Sequence, residues 1–93
     1  MNSWARAQEF LSQGNIDAAS SEVRSSLGLQ PRDPRAYVVL ARIEARRGNI
    51  VASRAAYTKA LALTHEVDAD FFKGVRAIVE QESAQVENAP TGI

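Results

Sequence analysis

Between Pro34 and Thr64 apolar and polar positions follow each other with the period of an α-helix. Tyr37, Leu40, Ala41 and Ile43 fall at i, i+3, i+4 and i+6 on one face. Ala52, Ala56, Ala60 and Leu63 run along a second stripe, which Tyr57 and Leu61 broaden. Gly48-Asn49 separates the two. Glycine enters the left-handed backbone region without a Cβ penalty, so Gly48 is expected at the C′ position that ends the first helix. Small residues at Ala41, Ala56 and Ala60 allow two backbones to approach closely, while Tyr37, Tyr57 and Leu61 fill the remaining volume. The pattern predicts a helix hairpin.

A second hairpin lies upstream. At an offset of 34 residues, Gly14-Asn15-Ile16 superposes on Gly48-Asn49-Ile50, Ala7 on Ala41, Ala18 on Ala52, and Leu27 and Leu29 on Leu61 and Leu63. A turn and its core positions recurring at one spacing mark a repeat. Phe10 falls at a core aromatic position. Trp4 lies one residue past the aromatic site, about 100° round the helix, so it either turns the helix to bury itself or projects into a groove or interface. Gln30-Pro31-Arg32-Asp33-Pro34 joins the units, with Asp33 as N-cap and Pro34 in the first helical turn.

Downstream, His65 to Ala69 is the corresponding connection, without proline. Asp70 to Glu82 then matches only the first helix of a third unit, with Phe71 or Phe72, Val75, Ile78 and Val79 as its apolar face. No glycine turn follows, so this helix is expected to cap the open end of the second unit. Helices are expected near residues 2–13, 17–29, 34–47, 51–63 and 69–82. Ser83 to Ile93 has no period and is expected to be a disordered tail.

Those residues resemble the tetratricopeptide repeat (TPR) pattern, W-x2-L-G-x2-Y, a Gly-Asp/Asn turn, A-x3-F-x2-A and a closing proline. Tyr37 stands at the Trp position, Leu40-Ala41 at Leu-Gly, Gly48-Asn49 at the turn, Tyr57 at Phe and Ala60 at the last Ala, and Pro31 closes the first unit. Glu44 replaces an aromatic, Ser53 the alanine of the second helix, and His65 the terminal proline. The resemblance implies an all-α, right-handed helical solenoid of two helix-turn-helix repeats and a C-terminal capping helix. Its single domain would cover residues 1–82, with repeats at about 1–33 and 34–67 and the cap at about 68–82.

Composition agrees with close helix packing: 45% of residues are hydrophobic but only 6% aromatic, so alanine carries much of the apolar content. Formal net charge is zero, which leaves no overall field to attract nucleic acid or anionic membranes. The charge is split along the chain, however. Met1 to His65 holds nine basic and five acidic residues, a net of +4, and Glu66 to Ile93 two basic and six acidic, a net of −4. No cysteine is present, which excludes disulfides and thiolate metal sites. No secretory signal and no run of eighteen apolar residues occurs, and a cytoplasmic location is expected.

Catalytic chemistry has little to stand on. His65 is the single histidine, and no phosphate-binding loop, metal-ligand cluster or nucleophile elbow occurs. Neither an enzyme nor a cofactor is expected. Arg35, Arg42, Arg46 and Arg47 crowd one helix, but no aromatics interleave with them as in single-strand nucleic-acid binders.

For a TPR array the resemblance implies a concave groove lined by the first helix of each unit. That assigns Arg35, Val38, Arg42, Ala45 and Arg46 from the second unit, Trp4, Gln8, Leu11 and Ser12 from the first, and Phe72, Arg76 and Val79 from the cap. Trp4, Gln8, Leu11, Arg35, Val38, Arg42, Arg46, Phe72 and Arg76 form the expected partner site, rich in arginine over an apolar floor. Arg42 and Arg46 share a helix face, and Arg76, 34 residues after Arg42, is expected beside it. Such a site suits an acidic or C-terminal protein segment with an apolar anchor. The two-lysine, two-asparagine carboxylate clamp of TPR co-chaperones is missing, so chaperone tails are not the expected ligand.

The leading expectation is therefore a non-enzymatic adaptor or scaffold. The alternative is a module that self-associates through Trp4 and Phe72. Glu80, Glu82 and Glu87 at the acidic end are placed to fold back on the arginines and compete with a partner. As groove residues, Arg42 and Arg46 are expected to be replaceable without loss of stability.

Overall fold

Gly14 and Gly48 both take positive φ, 81° and 83°, and each ends a helix in the same way. Beyond the first, Gly14 N–H donates to Leu11 C=O at 3.0 Å and Asn15 N–H to Phe10 C=O at 2.9 Å. Beyond the second, Gly48 N–H donates to Ala45 C=O at 3.1 Å and Asn49 N–H to Glu44 C=O at 2.9 Å. This paired closure is the Schellman motif, which satisfies the last carbonyls of the helix and reverses the chain. Asn15 also caps the helix that follows, its Oδ1 accepting from Ala18 N–H at 3.3 Å. The 34-residue repeat is thus a repeat of hydrogen bonds.

The structure is a computed structural model that describes residues 3–66 and 73–87. Its helices are α1 (Ser3–Ser12), α2 (Ile16–Leu29), α3 (Pro34–Arg46), α4 (Ile50–Glu66) and α5 (Lys73–Glu87). Among the described residues no strand occurs. The fold is an all-α helical repeat solenoid, as expected. Phe71, Phe72, Asp70 and residues 88–93 lie outside the described residues, so the expectations placed on them stay as stated.

α3 is the shared wall of two cores. Ala36, Val39 and Ile43 face Ala7 and Leu11 of α1 and Ala19 and Val23 of α2. Val38 and Ala41 face Ala56, Tyr57 and Ala60 of α4 and Val79 and Val86 of α5. One helix with apolar groups on two sides lets each hairpin bury its stripe on the next.

Three departures from the expected pattern have local causes. Ser53, not Ala52, turns inward: Ala52 is exposed, while Ser53 is fully buried and its Oγ donates to Ala41 C=O at 2.9 Å. A small hydroxyl fits the close α3–α4 approach because its one donor is satisfied there. α4 runs through His65 to Glu66 instead of stopping near residue 63. Nothing in that stretch breaks a helix, and the proline that would end it is absent. α5 runs on to Glu87, so residues 83–87 are helix and not tail. Val86 explains this: Val79, Glu82 and Val86 are spaced i, i+3, i+7, and Val86 is buried in the core that α5 shares with α3 and α4.

The turn glycines give a stability test. No atom lies within 4 Å of a Cβ built on Gly48, so the cost of a side chain there is backbone strain alone. Gly48→Val is expected to destabilise by about 2–3 kcal/mol. Gly74 is helical and exposed, with equal room for a Cβ, and Gly74→Ala should be neutral or stabilising by up to about 1 kcal/mol. Urea unfolding of both variants decides it; equal losses would remove the αL role from Gly48.

Candidate partner-binding groove

Asp33 organises one end of the groove. Its carboxylate caps α3 by accepting from Arg35 N–H at 3.0 Å, and it holds the Arg35 side chain through Nε and Nη2, both at 3.0 Å. Arg35 is thereby laid over Trp4, its guanidinium carbon 5.1 Å from the ring centroid, a cation–π distance. Trp4 packs partly buried against the first core. Its Nε1 is sealed from solvent and has no acceptor among the described residues.

Arg42 holds the middle. Its Nε and Nη2 donate to the two carboxylate oxygens of Glu82 at 2.8 Å each, and its Nη1 donates to Gln8 Oε1 at 2.8 Å. Tyr57 Oη donates to Glu82 Oε1 at 3.1 Å. Four helices, α1, α3, α4 and α5, therefore meet on one bidentate ion pair, the strong geometry for arginine and carboxylate. Burial pushes the Glu82 carboxyl up, but hydrogen bonds and charge from Arg42, with the Tyr57 hydroxyl, outweigh it and hold the pKa below the usual carboxylate range. The bond to Glu82 raises the Arg42 pKa against its burial. Burial raises that of Tyr57, and the Glu82 charge adds to it. Tyr57 stays a neutral donor at physiological pH.

The Arg42 bridge divides the groove into two cavities. On one side a cavity of about 140 Å³ is walled by Trp4, Arg35, Val38, Val39, Val75 and Ile78, with Arg42 at its border. On the other a cleft of about 400 Å³ is lined by Gln8, Leu11, Ser12, Ala45, Arg46, Gln85 and Val86, over Arg42, Tyr57 and Glu82. Arg46 is exposed and makes no ion pair among the described residues, whereas Arg47 beside it pairs with Asp17 at 3.1 Å.

The expected site residues divide accordingly. Trp4, Arg35 and Val38 meet at the first cavity, Gln8, Leu11 and Arg46 at the second, and Arg42 touches both. Val38 has a second role in the core, and the placement of Arg76 needs correction. Val38 is 5% exposed, part of the second core as well as a wall of the cavity, because α5 closes over it. Arg76 lines neither cavity. The residue beside Arg42 is Glu82, 40 residues on, because α5 seats through Val75, Val79 and Val86 and does not keep the 34-residue register.

Arg76 Nε is sealed and without a partner among the described residues. Phe72 lies outside the described residues. Gln85 and Val86 line the cleft without having been expected there, and Glu82, expected only to fold back over the arginines, is a fixed part of its lining; the i, i+3, i+7 spacing of Val79, Glu82 and Val86 is the signal for it.

Among the described residues no three His, Asp or Glu side chains gather closely enough to hold a metal ion, and no helix is long and apolar enough to cross a membrane. A family model described as tetratricopeptide repeat matches residues 5–67. Comparison with curated proteins and with solved structures gives no significant match.

Proposed function

The chain belongs to the tetratricopeptide repeat family, whose repeats generally mediate protein–protein interaction, and from that premise we propose a non-enzymatic adaptor that holds a segment of a partner protein in the groove between α1, α3 and α5. The observation that carries this reading is the open space on both sides of the Arg42 bridge. Side chains of α1, α3, α4 and α5 line it, and their apolar floor and the charge of Arg46, unpaired among the described residues, suit a peptide better than a small polar substrate. Arg46 gives the groove its preference for acidic segments. Arg42 contributes less than its position suggests, since Glu82 already neutralises it.

Trp4 is the single tryptophan and borders the smaller cavity, so its emission reports on occupancy. Titration with acidic, leucine-containing peptides should shift that emission with roughly micromolar affinity, because ordering a flexible peptide offsets much of the contact energy. Arg46→Glu should weaken binding about tenfold or more and leave the melting temperature unchanged, since Arg46 is exposed. Capture unaffected by Arg46→Glu would sink the groove reading. A stable dimer by light scattering would favour self-association instead, although Trp4, packed beneath Arg35, offers it little free aromatic surface.

A further inference from the structure

Val38 and Val39 belong to the smaller cavity and Ala45 and Arg46 to the cleft. Along α3 that separation is about seven residues, or roughly 10 Å at 1.5 Å per residue. An extended peptide advances about 3.3 Å per residue and so covers the distance in three. The two ends differ in chemistry. The smaller cavity is walled mainly by Trp4, Val38, Val39, Val75 and Ile78, and its volume of about 140 Å³ suits one branched aliphatic side chain. Ile78 at its mouth is 44% exposed, an apolar surface that an occupant would cover.

At the other end the charges near Arg46 are already matched: Arg42 by Glu82, Arg47 by Asp17. Gln8, Ser12 and Gln85 around it are neutral. Arg46 therefore supplies the cleft with a positive charge that nothing described there cancels.

We infer that the groove selects an extended segment in which a branched apolar side chain and a carboxylate stand about three residues apart, the first entering the cavity beside Trp4 and Ile78 and the second pairing with Arg46. This deepens the adaptor reading and rests on it. The carboxylate pair lies at an exposed site and weakens with salt, whereas the apolar anchor does not. Between the two, the peptide crosses the Arg42–Glu82 bridge, whose paired charges leave it neutral and tolerant of the intervening residues.

The test is a nitrogen-15 NMR titration of the full chain, at low and at high salt, with end-capped hexapeptides. One carries leucine at its second and glutamate at its fifth position; the others replace leucine with alanine, replace glutamate with glutamine, or bring the two side by side. Leucine to alanine should weaken binding about tenfold, and glutamate to glutamine about fivefold at low salt only. Arg46→Gln should abolish the glutamate–glutamine difference and keep the leucine–alanine difference. Ile78→Ser, also at an exposed position, should shrink the leucine–alanine difference and keep the other.

Equal affinity for the side-by-side peptide, with shifts still confined to α1, α3 and α5, overturns the motif and leaves the adaptor groove standing. Shifts confined to α2 and α4 overturn both, and so does the absence of any shift at millimolar peptide.

Discussion

Ile43→Ala is expected to lower stability by about 3 kcal/mol, within the 2–5 kcal/mol range for emptying a fully buried aliphatic site. Ile43 is 0% exposed and belongs to the core that α3 shares with α1 and α2. It is thus the largest side chain by which the second repeat holds the first. Lost transfer energy and an unfilled cavity act together, because Ala7, Ala19 and Ala36 around it are too small to collapse into the space. For a chain of this size about 3 kcal/mol corresponds to a fall in melting temperature of about 12–24 °C. Val51→Ala is the matched control: Val51 is 81% exposed, and its loss should stay within about 0.5 kcal/mol. Thermal unfolding followed by circular dichroism compares them. A small effect at Ile43 would mean that the hairpins stand independently.

That core was legible because it is written twice. Gly-Asn turns, alanines at the helix crossings and aliphatic stripes recur at 34 residues, and each is a local rule: a left-handed C′ glycine, a close approach, an amphipathic face. Asp33 as N-cap was legible for the same reason. Ser53 shows where periodicity misleads by one position. A stripe drawn through the alanines alone runs along Ala52, while the serine is the small residue that packs, its hydroxyl bonded to Ala41 C=O.

Some of the residues that line the two cavities could be named from the sequence, but not how they are wired. Arg35, Arg42 and Arg46 look alike as letters. In the fold Arg35 is held by Asp33, Arg42 by Glu82 and Gln8, and Arg46 by none of the described carboxylates. Which arginine is spoken for depends on how α5 slides along α3, and that slide follows from Val75, Val79 and Val86 packing into the core formed by α3 and α4. The acidic end does return to the arginines, as its charge suggested, but Glu82 arrives as part of a helix. Glu80 on the same helix is exposed, and no described ion pair involves it.

Arg42→Glu is accordingly expected to destabilise the fold, contrary to a purely surface role for this arginine. The carboxylate placed at position 42 would face Glu82 across the site of two 2.8 Å bonds and leave the Gln8 and Tyr57 arrangement without its centre. The side chains of Arg42 and Glu82 are 32% and 23% exposed, so water softens the repulsion, and a loss of about 2–3 kcal/mol is expected, at the lower edge of broken buried pairs.

The charge-swapped double variant, Arg42→Glu with Glu82→Arg, should recover at least half of it. Every partner can reverse its role: the Tyr57 hydroxyl can accept where it donated, and the Gln8 amide can turn to donate. Acid should act in the same direction as Glu82→Gln. Because the folded pKa of Glu82 lies below its unfolded value, its contribution is fully present above about pH 4.3 and is lost as pH falls through the lowered value. Urea unfolding of the parent and Glu82→Gln should therefore differ at pH 7 and converge toward pH 2. A swapped variant no more stable than Arg42→Glu alone, or a gap that persists unchanged into acid, would show that the pair does not seat α5.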